Sequence, residues 1–185
     1  LLAHHQDDQA ETVLMHLLRG TGIDGLVAMQ AFRPFGCGFV ARPFLNQPRS
    51  TLEAYAKAHT LTWIEDESNQ NTQFSRNYIR HEILPRLKSR WPRAPQAISA
   101  CATHALDAKE SLDALAYIDC PELNLHQARL NIKDVSALPR PRLNQVLRVW
   151  LKHQQIKAPS MSVLERFVHD VVLARPDACP SIRLG

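Results

Sequence analysis

The first half of the chain alternates between short apolar runs and helical stripes of apolar positions. The predicted elements are, in order, the end of a buried strand at 1–3, a helix with apolar positions at Leu14, Leu17 and Leu18 and a stop at Gly20, a strand at 39–44, a helix from Ser50 to about Ala58, and a strand at 61–64. Strands that alternate with helices are typical of parallel sheets. The pattern therefore predicts an α/β fold with a parallel sheet for residues 1–90.

The second half of the chain has a helical period almost throughout. The predicted elements are a helix at 77–87, a linker at 91–95, a long helix at 96–118, a small hairpin at 123–132, a helix with apolar positions at Leu143, Val146, Leu147, Trp150 and Leu151, and a helix with apolar positions at Leu164, Phe167, Val168, Val171 and Val172. We place a domain boundary at the linker. Residues 91–185 are then predicted to form a mostly α-helical second domain.

Local signals refine these boundaries. Three segments carry the capping-box pattern, which predicts helix starts at Asp8, Ser50 and Ser162, each with a glutamate three residues later. Residues 20–25 match the G-x-G-x-x-G pattern of dinucleotide-binding proteins. That fingerprint must follow a strand, whereas this one follows a helix, so we interpret it as a connection.

The basic charge of the chain is concentrated in two stretches. The 185 residues carry a formal net charge of +4. Residues 74–95 hold six basic side chains against Glu82, and residues 140–152 hold four with no acidic one. This distribution permits contact with nucleic acid without requiring it.

Cysteine usage and hydropathy exclude other classes. Cys37, Cys101, Cys120 and Cys179 lie far apart in the sequence, so neither a zinc ribbon nor a redox dithiol is indicated, and a reduced, cytoplasmic setting is predicted. No apolar run approaches the roughly 20 residues of a membrane span. A membrane is therefore not among the predicted partners.

The polar block after residue 3 is the first candidate site. Ligands of open α/β sheets bind where strands end and helices begin. Asp8 and Glu11 lie one helical turn apart there, so they could hold Mg²⁺ or a substrate ammonium group, or simply cap the helix. His4 and His5 would point to opposite faces of the strand and could not share one metal ion.

The second candidate site lies in the basic stretch at 74–95. Arg76, Arg80 and Arg86 would supply donors for phosphate, with Asn77 and Tyr78 nearby for contact with bases. The alternative is a solvated, charged helix face.

Several motifs together resemble the tRNA(Ile)-lysidine synthetase family. They are His4-His5-x-Asp7-Asp8-Gln9-x-Glu11-Thr12, Arg19-Gly20-x-Gly22, Gly25-Leu26, Arg42-Pro43, Trp63-Ile64-Glu65-Asp66-x-Ser68-Asn69, Arg76-Asn77-x-Ile79-Arg80 and Leu84-Pro85. The stretches Leu147-Arg148-x-Trp150-Leu151, Pro159-Ser160, Leu173-Ala174-Arg175 and Arg183-Leu184-Gly185 are similar to the middle domain of that family.

The resemblance implies the fold of an N-type, PP-loop ATP pyrophosphatase and the use of ATP and Mg²⁺. It also implies tRNA(Ile) and L-lysine as partners, since the family joins lysine to the wobble cytidine of a CAU anticodon through an adenylated cytidine. The site residues would be Asp8 and Glu11 for lysine or Mg²⁺, supported by His5 and Asp7, and Arg76, Asn77, Arg80 and Arg42 for tRNA or nucleotide phosphates.

The phosphate loop of the family, Ser-Gly-Gly-x-Asp-Ser, does not occur in these 185 residues. We therefore expect the chain to be a piece of a longer enzyme, cut within its catalytic domain and inert in lysine transfer alone. The alternatives are a non-catalytic RNA-binding module and a related enzyme that thiolates tRNA, and the sequence leaves a homodimer open.

Overall fold

The computed structural model describes residues 1–64, 67–125, 129–156 and 160–172, and it divides the chain into two compact units, Leu1–Lys109 and Glu110–Gly185. The elements up to residue 90 are α1 (Gln6–Leu18), α2 (Ile23–Leu26), β1 (Phe32–Phe35), β2 (Gly38–Ala41), α3 (Arg49–Ala58), a 3₁₀ turn (Glu67–Gln70), α4 (Ser75–Tyr78), a π-helical turn (Ile79–Ile83) and α5 (Leu84–Arg90). The later elements are α6 (Ala94–Asp119), a 3₁₀ turn (Pro121–Leu125), α7 (Ile132–Ser136), α8 (Arg140–His153), α9 (Met161–Phe167) and a π-helical turn (Val168–Val172). The domain boundary between residues 90 and 91 stays a prediction.

Helix α1 begins and ends on specific side-chain and backbone signals. His5 accepts a hydrogen bond from the backbone N–H of Asp8, and the Asp8 carboxylate accepts one from the backbone N–H of His5. This is a capping box, but it starts three residues earlier than the one predicted at Asp8. Gly20 ends the helix with φ of +69°, a left-handed conformation that costs glycine little. The predicted stop at Gly20 is confirmed.

The sheet of the described residues is a two-stranded antiparallel hairpin. Strand β1 pairs with β2, with Phe35 opposite Gly38, and Gly36 has φ of +56° in the tight turn between them. Phe32 and Phe39 stack across the pair with ring centroids 4.7 Å apart. The described residues form no parallel strand pair, so the parallel sheet is not seen in them.

The strands predicted at 1–3 and 61–64 are also not formed. Leu2 donates one backbone hydrogen bond to the Ala41 carbonyl, at 2.9 Å, and a strand needs a repeated ladder of such bonds. The predicted cap at Ser50 is wrong as well, because α3 begins after Pro48. The carboxylate of Asp7, brought from α1, accepts a hydrogen bond from the Arg49 N–H at the start of α3.

The segment from α4 to α5 confirms the predicted helix at 77–87 but contains a widened turn at Ile79–Ile83. Pro85 follows it and has no N–H to donate to the carbonyl of His81, so a regular α-helical turn cannot close there. Ile79 and Leu84 are buried with Ala10 of α1. The widened turn therefore packs directly against α1.

The second unit has an α-helical core. Its largest buried side chains are Leu147 and Leu151 of α8 and Leu164 of α9. The long helix predicted at 96–118 is confirmed as α6. The hairpin predicted at 123–132 is wrong where it is described, since a 3₁₀ turn and the start of α7 lie there. The N-cap of α9 is Ser160, not Ser162, because its hydroxyl accepts from the Val163 N–H.

No helix among the described ranges combines the length and hydropathy needed to cross a membrane.

We expect Leu147→Ala to lower the free energy of unfolding by about 3 kcal/mol, because the Leu147 side chain is fully buried and its removal leaves a cavity. Urea denaturation followed by circular dichroism measures the change. The control is Ile118→Ala in the same unit, where the side chain is 73% exposed and a change below about 0.5 kcal/mol is expected. Equal losses in both variants would contradict this core.

Candidate functional site

Two carboxylates of α1 form hydrogen bonds with two arginines at residues 75–83. We call these residues, which comprise α4 and the π-helical turn, the α4 segment. Glu11 accepts hydrogen bonds from Arg80 Nε at 2.6 Å and from Arg76 Nε at 2.8 Å, and it accepts a further one from Arg80 Nη2 at 2.8 Å. The other carboxylate, Asp8, accepts from Nη2 of both arginines, at 3.0 Å and 2.9 Å, through its Oδ1 atom. We call Asp8, Glu11, Arg76 and Arg80 the ion cluster.

The sequence places these side chains together through helical spacing. Asp8 and Glu11 differ by three positions and Arg76 and Arg80 by four, so each pair lies on one face of its segment. The apolar contact of Ala10 with Ile79 holds the two segments together beside the cluster. Each guanidinium contacts both carboxylates, which is the fork-like geometry that arginine favours.

Burial makes the cluster sensitive to the loss of any member. The Glu11 side chain is only 1% exposed, whereas that of Arg76 is 37% exposed. A buried carboxylate is costly unless cations and hydrogen bonds compensate it. The hydrogen bond from Arg80 to Glu11 raises the pKa of Arg80 against the opposing effect of burial. The cluster therefore matches two carboxyl groups with two guanidinium groups and is open to solvent on the Arg76 side.

The remaining polar side chains of α1 hold other segments. The Asp7 carboxylate accepts from Lys88 Nζ at 2.6 Å and from the Arg49 N–H at 3.1 Å. The Gln9 side chain forms two hydrogen bonds with the backbone of Met29. His5 caps the helix beside Asp8. One short helix therefore positions α3, α5, the α4 segment and the loop before β1.

The other predicted binding residues are not part of the ion cluster. The Asn77 amide donates to the carbonyls of Ser68 and Asn71, both at 3.0 Å, so it orders the preceding loop. Arg42 is buried and donates from Nη1 to the Gln30 carbonyl at 2.9 Å. The structure thus brings together Asp8, Glu11, Arg76 and Arg80, with His5 adjacent. Of the resemblance motifs, Glu65, Asp66, Pro159 and residues 173–185 lie outside the described residues.

A cavity of about 190 Å³ runs beside the ion cluster. Its lining includes Glu11 and Arg80 from the cluster, together with His5, Asp7 and Lys88. The volume suits a few water molecules or one extended side chain. Of the two carboxylates of the cluster, Glu11 lines this cavity and Asp8 does not.

The cluster does not fit a magnesium ion in this arrangement. Mg²⁺ needs oxygen ligands in near-octahedral geometry, and both oxygens of Glu11 already accept hydrogen bonds from guanidinium groups. Within the described ranges, no group of three or more His, Cys, Asp and Glu side chains could hold a metal ion. Asp8 and Glu11 as metal ligands stay a prediction, and no chemical step is assigned to a metal here.

The cysteines give no support to thiolation chemistry. Within the described part of the chain, Cys37 and Cys101 are exposed free thiols and Cys120 is a buried one. Burial and the nearby Glu122 carboxylate raise the pKa of Cys120, so its reactive thiolate is disfavoured. Cys179 lies outside the described residues.

Lys88 and Gln9 have positioning roles that the sequence does not predict. Lys88 lies in a basic stretch, and its ion pair with Asp7 joins residues 81 positions apart. Gln9 lies inside the resemblance motif, which is its only sequence signal. Contacts between residues that are far apart in sequence leave no local spacing pattern, so sequence reasoning does not find them.

Comparison with known families identifies the class first. Residues 1–87 match the family model of the PP-loop domain, and residues 130–185 match that of the TilS substrate binding domain. The ion cluster and both of its segments lie within the PP-loop match.

Relatives then identify the family. The tRNA(Ile)-lysidine synthase of Legionella pneumophila (strain Paris) is 48% identical over 182 residues, which cover 98% of this chain and 42% of that protein. The enzyme of the same name from Pseudomonas aeruginosa is 47% identical over 161 residues, covering 82% and 36%, and that of Salmonella paratyphi B is 40% identical over 183 residues, covering 99% and 43%. This chain belongs to the tRNA(Ile)-lysidine synthase family. It spans about two fifths of the length of these curated relatives.

We expect Glu11→Gln to lower the free energy of unfolding by about 3 kcal/mol, because two guanidinium groups would lose a buried anionic partner. The matched control is Glu53→Gln, which removes the same charge from the exposed pair with Arg49 and should cost less than about 1 kcal/mol. Chemical denaturation measures both variants. Similar values for both would contradict a stabilising role for the cluster.

Asp7 gives a pH-dependent prediction. Burial opposes its ionisation, but the Lys88 ammonium group and the Arg49 N–H outweigh burial and lower the pKa of Asp7 below its ordinary value. A lowered folded-state pKa stabilises the fold above the unfolded pKa, near pH 4, and this contribution disappears as pH falls through the folded-state value.

The difference in unfolding free energy between the wild type and Asp7→Asn should therefore be present at pH 7 and shrink steadily below pH 4. Denaturation at several pH values measures it. In a Lys88→Met background the difference at pH 7 should be much smaller. A difference that stays constant with pH would show that the ionised form of Asp7 contributes nothing.

Proposed function

We propose that this chain carries the lysine-handling part of a tRNA(Ile)-lysidine synthase, which joins L-lysine to the wobble cytidine of tRNA(Ile) with a CAU anticodon and consumes ATP. The observation that carries the proposal is the ion cluster beside its cavity, in a chain whose relatives bear that name. The match of residues 1–87 to the PP-loop domain supports the use of ATP.

The proposed reaction has two steps. The C2 oxygen of cytidine is first adenylated with ATP, and pyrophosphate leaves. The ε-amino group of lysine then attacks C2, so that a C–N bond forms, the C–O bond to AMP breaks, and the amine loses its protons. The amine has an unperturbed pKa of about 10.4, so its first deprotonation at pH 7 costs roughly 4.6 kcal/mol. A carboxylate that orients the amine and accepts a proton lowers this barrier.

We assign different roles in the reaction to Asp8 and Glu11 because their carboxylates accept hydrogen bonds from different sets of donors. Glu11 is held at both oxygens by the arginines, and it acts mainly by fixing Arg76 and Arg80. Asp8 is the carboxylate that receives the lysine ammonium group, since its Oδ1 atom is held only by Nη2 groups of the two arginines. His5 fixes the Asp8 carboxylate through the capping box, and Asp7 fixes the neighbouring helices.

The arginines are proposed to face the phosphates of the nucleotide or the tRNA. Within the described residues, Nη1 of neither Arg76 nor Arg80 donates a hydrogen bond to the protein, so each arginine keeps donors for a ligand while its other nitrogens hold the carboxylates. Asn77 supports this surface by ordering the loop at 68–71. Residues 1–90 would belong to the catalytic domain and residues 91–185 to a tRNA-binding domain, as the match at 130–185 supports.

The test is incorporation of radiolabelled lysine into tRNA(Ile) by the full-length gene product that contains this chain. We expect Asp8→Asn to lower incorporation by about 100-fold or more, the usual effect of losing a positioned proton acceptor. The affinity for tRNA, measured by filter binding, should change by much less, because a carboxylate does not bind phosphate. Glu11→Gln should lower incorporation too, provided that circular dichroism shows a folded protein.

Glu53→Gln is the matched control and should keep wild-type incorporation. A transcript with guanosine at the wobble position should accept no lysine. Wild-type incorporation by Asp8→Asn and Glu11→Gln would contradict the proposed roles. Salt-dependent binding of tRNA without any incorporation by the wild type would favour the RNA-binding module instead.

A further inference from the structure

A second cavity of the first unit lies apart from the one beside the ion cluster. It has a volume of about 330 Å³ and is lined mainly by the end of α1, the loop at 27–30 and the hairpin. Three basic side chains line it, from Arg33, Arg42 and Lys109, against one carboxylate, from Asp24. The proposed reaction, as described above, uses none of these side chains, and only the family resemblance pointed to Arg42 as a contact for phosphates.

Arg42 has a buried guanidinium group, and not all of its N–H donors form hydrogen bonds within the described residues. The residue is 8% exposed, and its Nη1 atom donates to the Gln30 carbonyl at 2.9 Å. Its Nε atom is buried and has no hydrogen-bond partner within the described residues. Burial lowers the pKa of Arg42, and the positive charge of Arg33 lowers it further. A guanidinium group stays charged even so, and a buried charge without an anion is costly.

The remaining charges of the cavity do not compensate Arg42. Asp24 lies 3.6 Å from Lys109 Nζ and so pairs with that ammonium group. The carboxylates of Asp8 and Glu11 already bind Arg76 and Arg80. Arg33 stands on the exposed strand β1 and adds a second guanidinium at the wall of the cavity. The cavity therefore has an excess of positive charge and an unused donor.

We propose that this cavity binds a phosphate group, held by the Arg42 Nε donor and the Arg33 guanidinium. Paired guanidinium groups recognise the oxygens of phosphate with directed, charge-assisted hydrogen bonds. The choice of phosphate rests on the proposed function, which offers two sources, the backbone of an RNA and the phosphates of a free nucleotide. Both present the same chemistry to the cavity, and the experiment separates them.

The experiment measures the affinity of the full 185-residue chain for three probes: inorganic pyrophosphate, ATP, and a short RNA stem-loop with a CAU anticodon loop. Titration calorimetry is performed on the wild type, Arg33→Gln, Arg42→Lys and the control Lys57→Gln. The control removes the same charge from an exposed side chain of α3 that does not line the cavity. Thermal unfolding of each variant in the absence of ligand reports any loss of folding.

We expect Arg33→Gln to weaken binding of at least one probe by about tenfold and Lys57→Gln to weaken it by less than about twofold. Arg42→Lys keeps the charge but removes the Nε donor, and it should weaken the same probe. If the RNA is affected, the dependence of log affinity on log salt becomes shallower by about one in Arg33→Gln, and the phosphate belongs to RNA. If ATP and pyrophosphate are affected and the RNA is not, the phosphate belongs to a nucleotide.

Two results would overturn the proposal. One is wild-type affinity for every probe in both Arg33→Gln and Arg42→Lys, including the case in which Arg42→Lys loses only thermal stability. The other is a wild-type chain that binds none of the probes. The lysine-transfer test uses different residues, so loss of activity in Asp8→Asn with no effect of Arg33→Gln would retain the function and reject this cavity. The reverse pattern would retain the cavity and reject the function.

Discussion

The first unit depends on a single constraint, the compensation of buried charge along one face of α1. Glu11 is almost completely buried, and a buried carboxylate is tolerated only with cations in direct contact. Arg76 and Arg80 must therefore reach it, which fixes the α4 segment against α1. The Asp7 carboxylate is compensated in the same way, by Lys88 and by the first N–H of α3. The polar side chains of this helix thus hold together segments that are distant in sequence.

This arrangement links stability to chemistry at the same atoms. A carboxylate that is held by two arginines has a fixed orientation, which a group that receives an ammonium substrate requires. The Arg76 side chain is about one third exposed, whereas Glu11 and Asp8 are buried, so solvent reaches the cluster at Arg76. Apolar contacts behind it, from Ala10 to Ile79 and Leu84, keep the two segments in register. The site is therefore built on packed helices and not on a loop.

The sequence predicted the helices well because their signals are local. The stop at Gly20, the long helix α6 and the apolar stripe of α8 each depend on spacing within one segment. The parallel sheet and the hairpin at 123–132 require pairing partners, which a short apolar run does not specify. The two pairs of site residues, Asp8 with Glu11 and Arg76 with Arg80, were found separately. Their direct contact was not predicted, because it joins positions 65 or more apart.

The pairing of these carboxylates with other cations also explains why the positive charge of Arg42 remains uncompensated within the described residues. The carboxylates of α1 form ion pairs with Arg76, Arg80 and Lys88, and Asp24 is paired with Lys109. Within the described residues, Arg42 has no carboxylate partner. Burial lowers the pKa of the neighbouring His4, and the charge of Arg42 lowers it further against the raising effect of Asp8. A protein that places a buried guanidinium where no side chain neutralises it loses stability unless an anion is supplied from outside. Because the acidic side chains around α1 pair with other cations, the cavity at Arg42 is a site for an anionic ligand and does not contain, among the described residues, a further internal ion pair with Arg42.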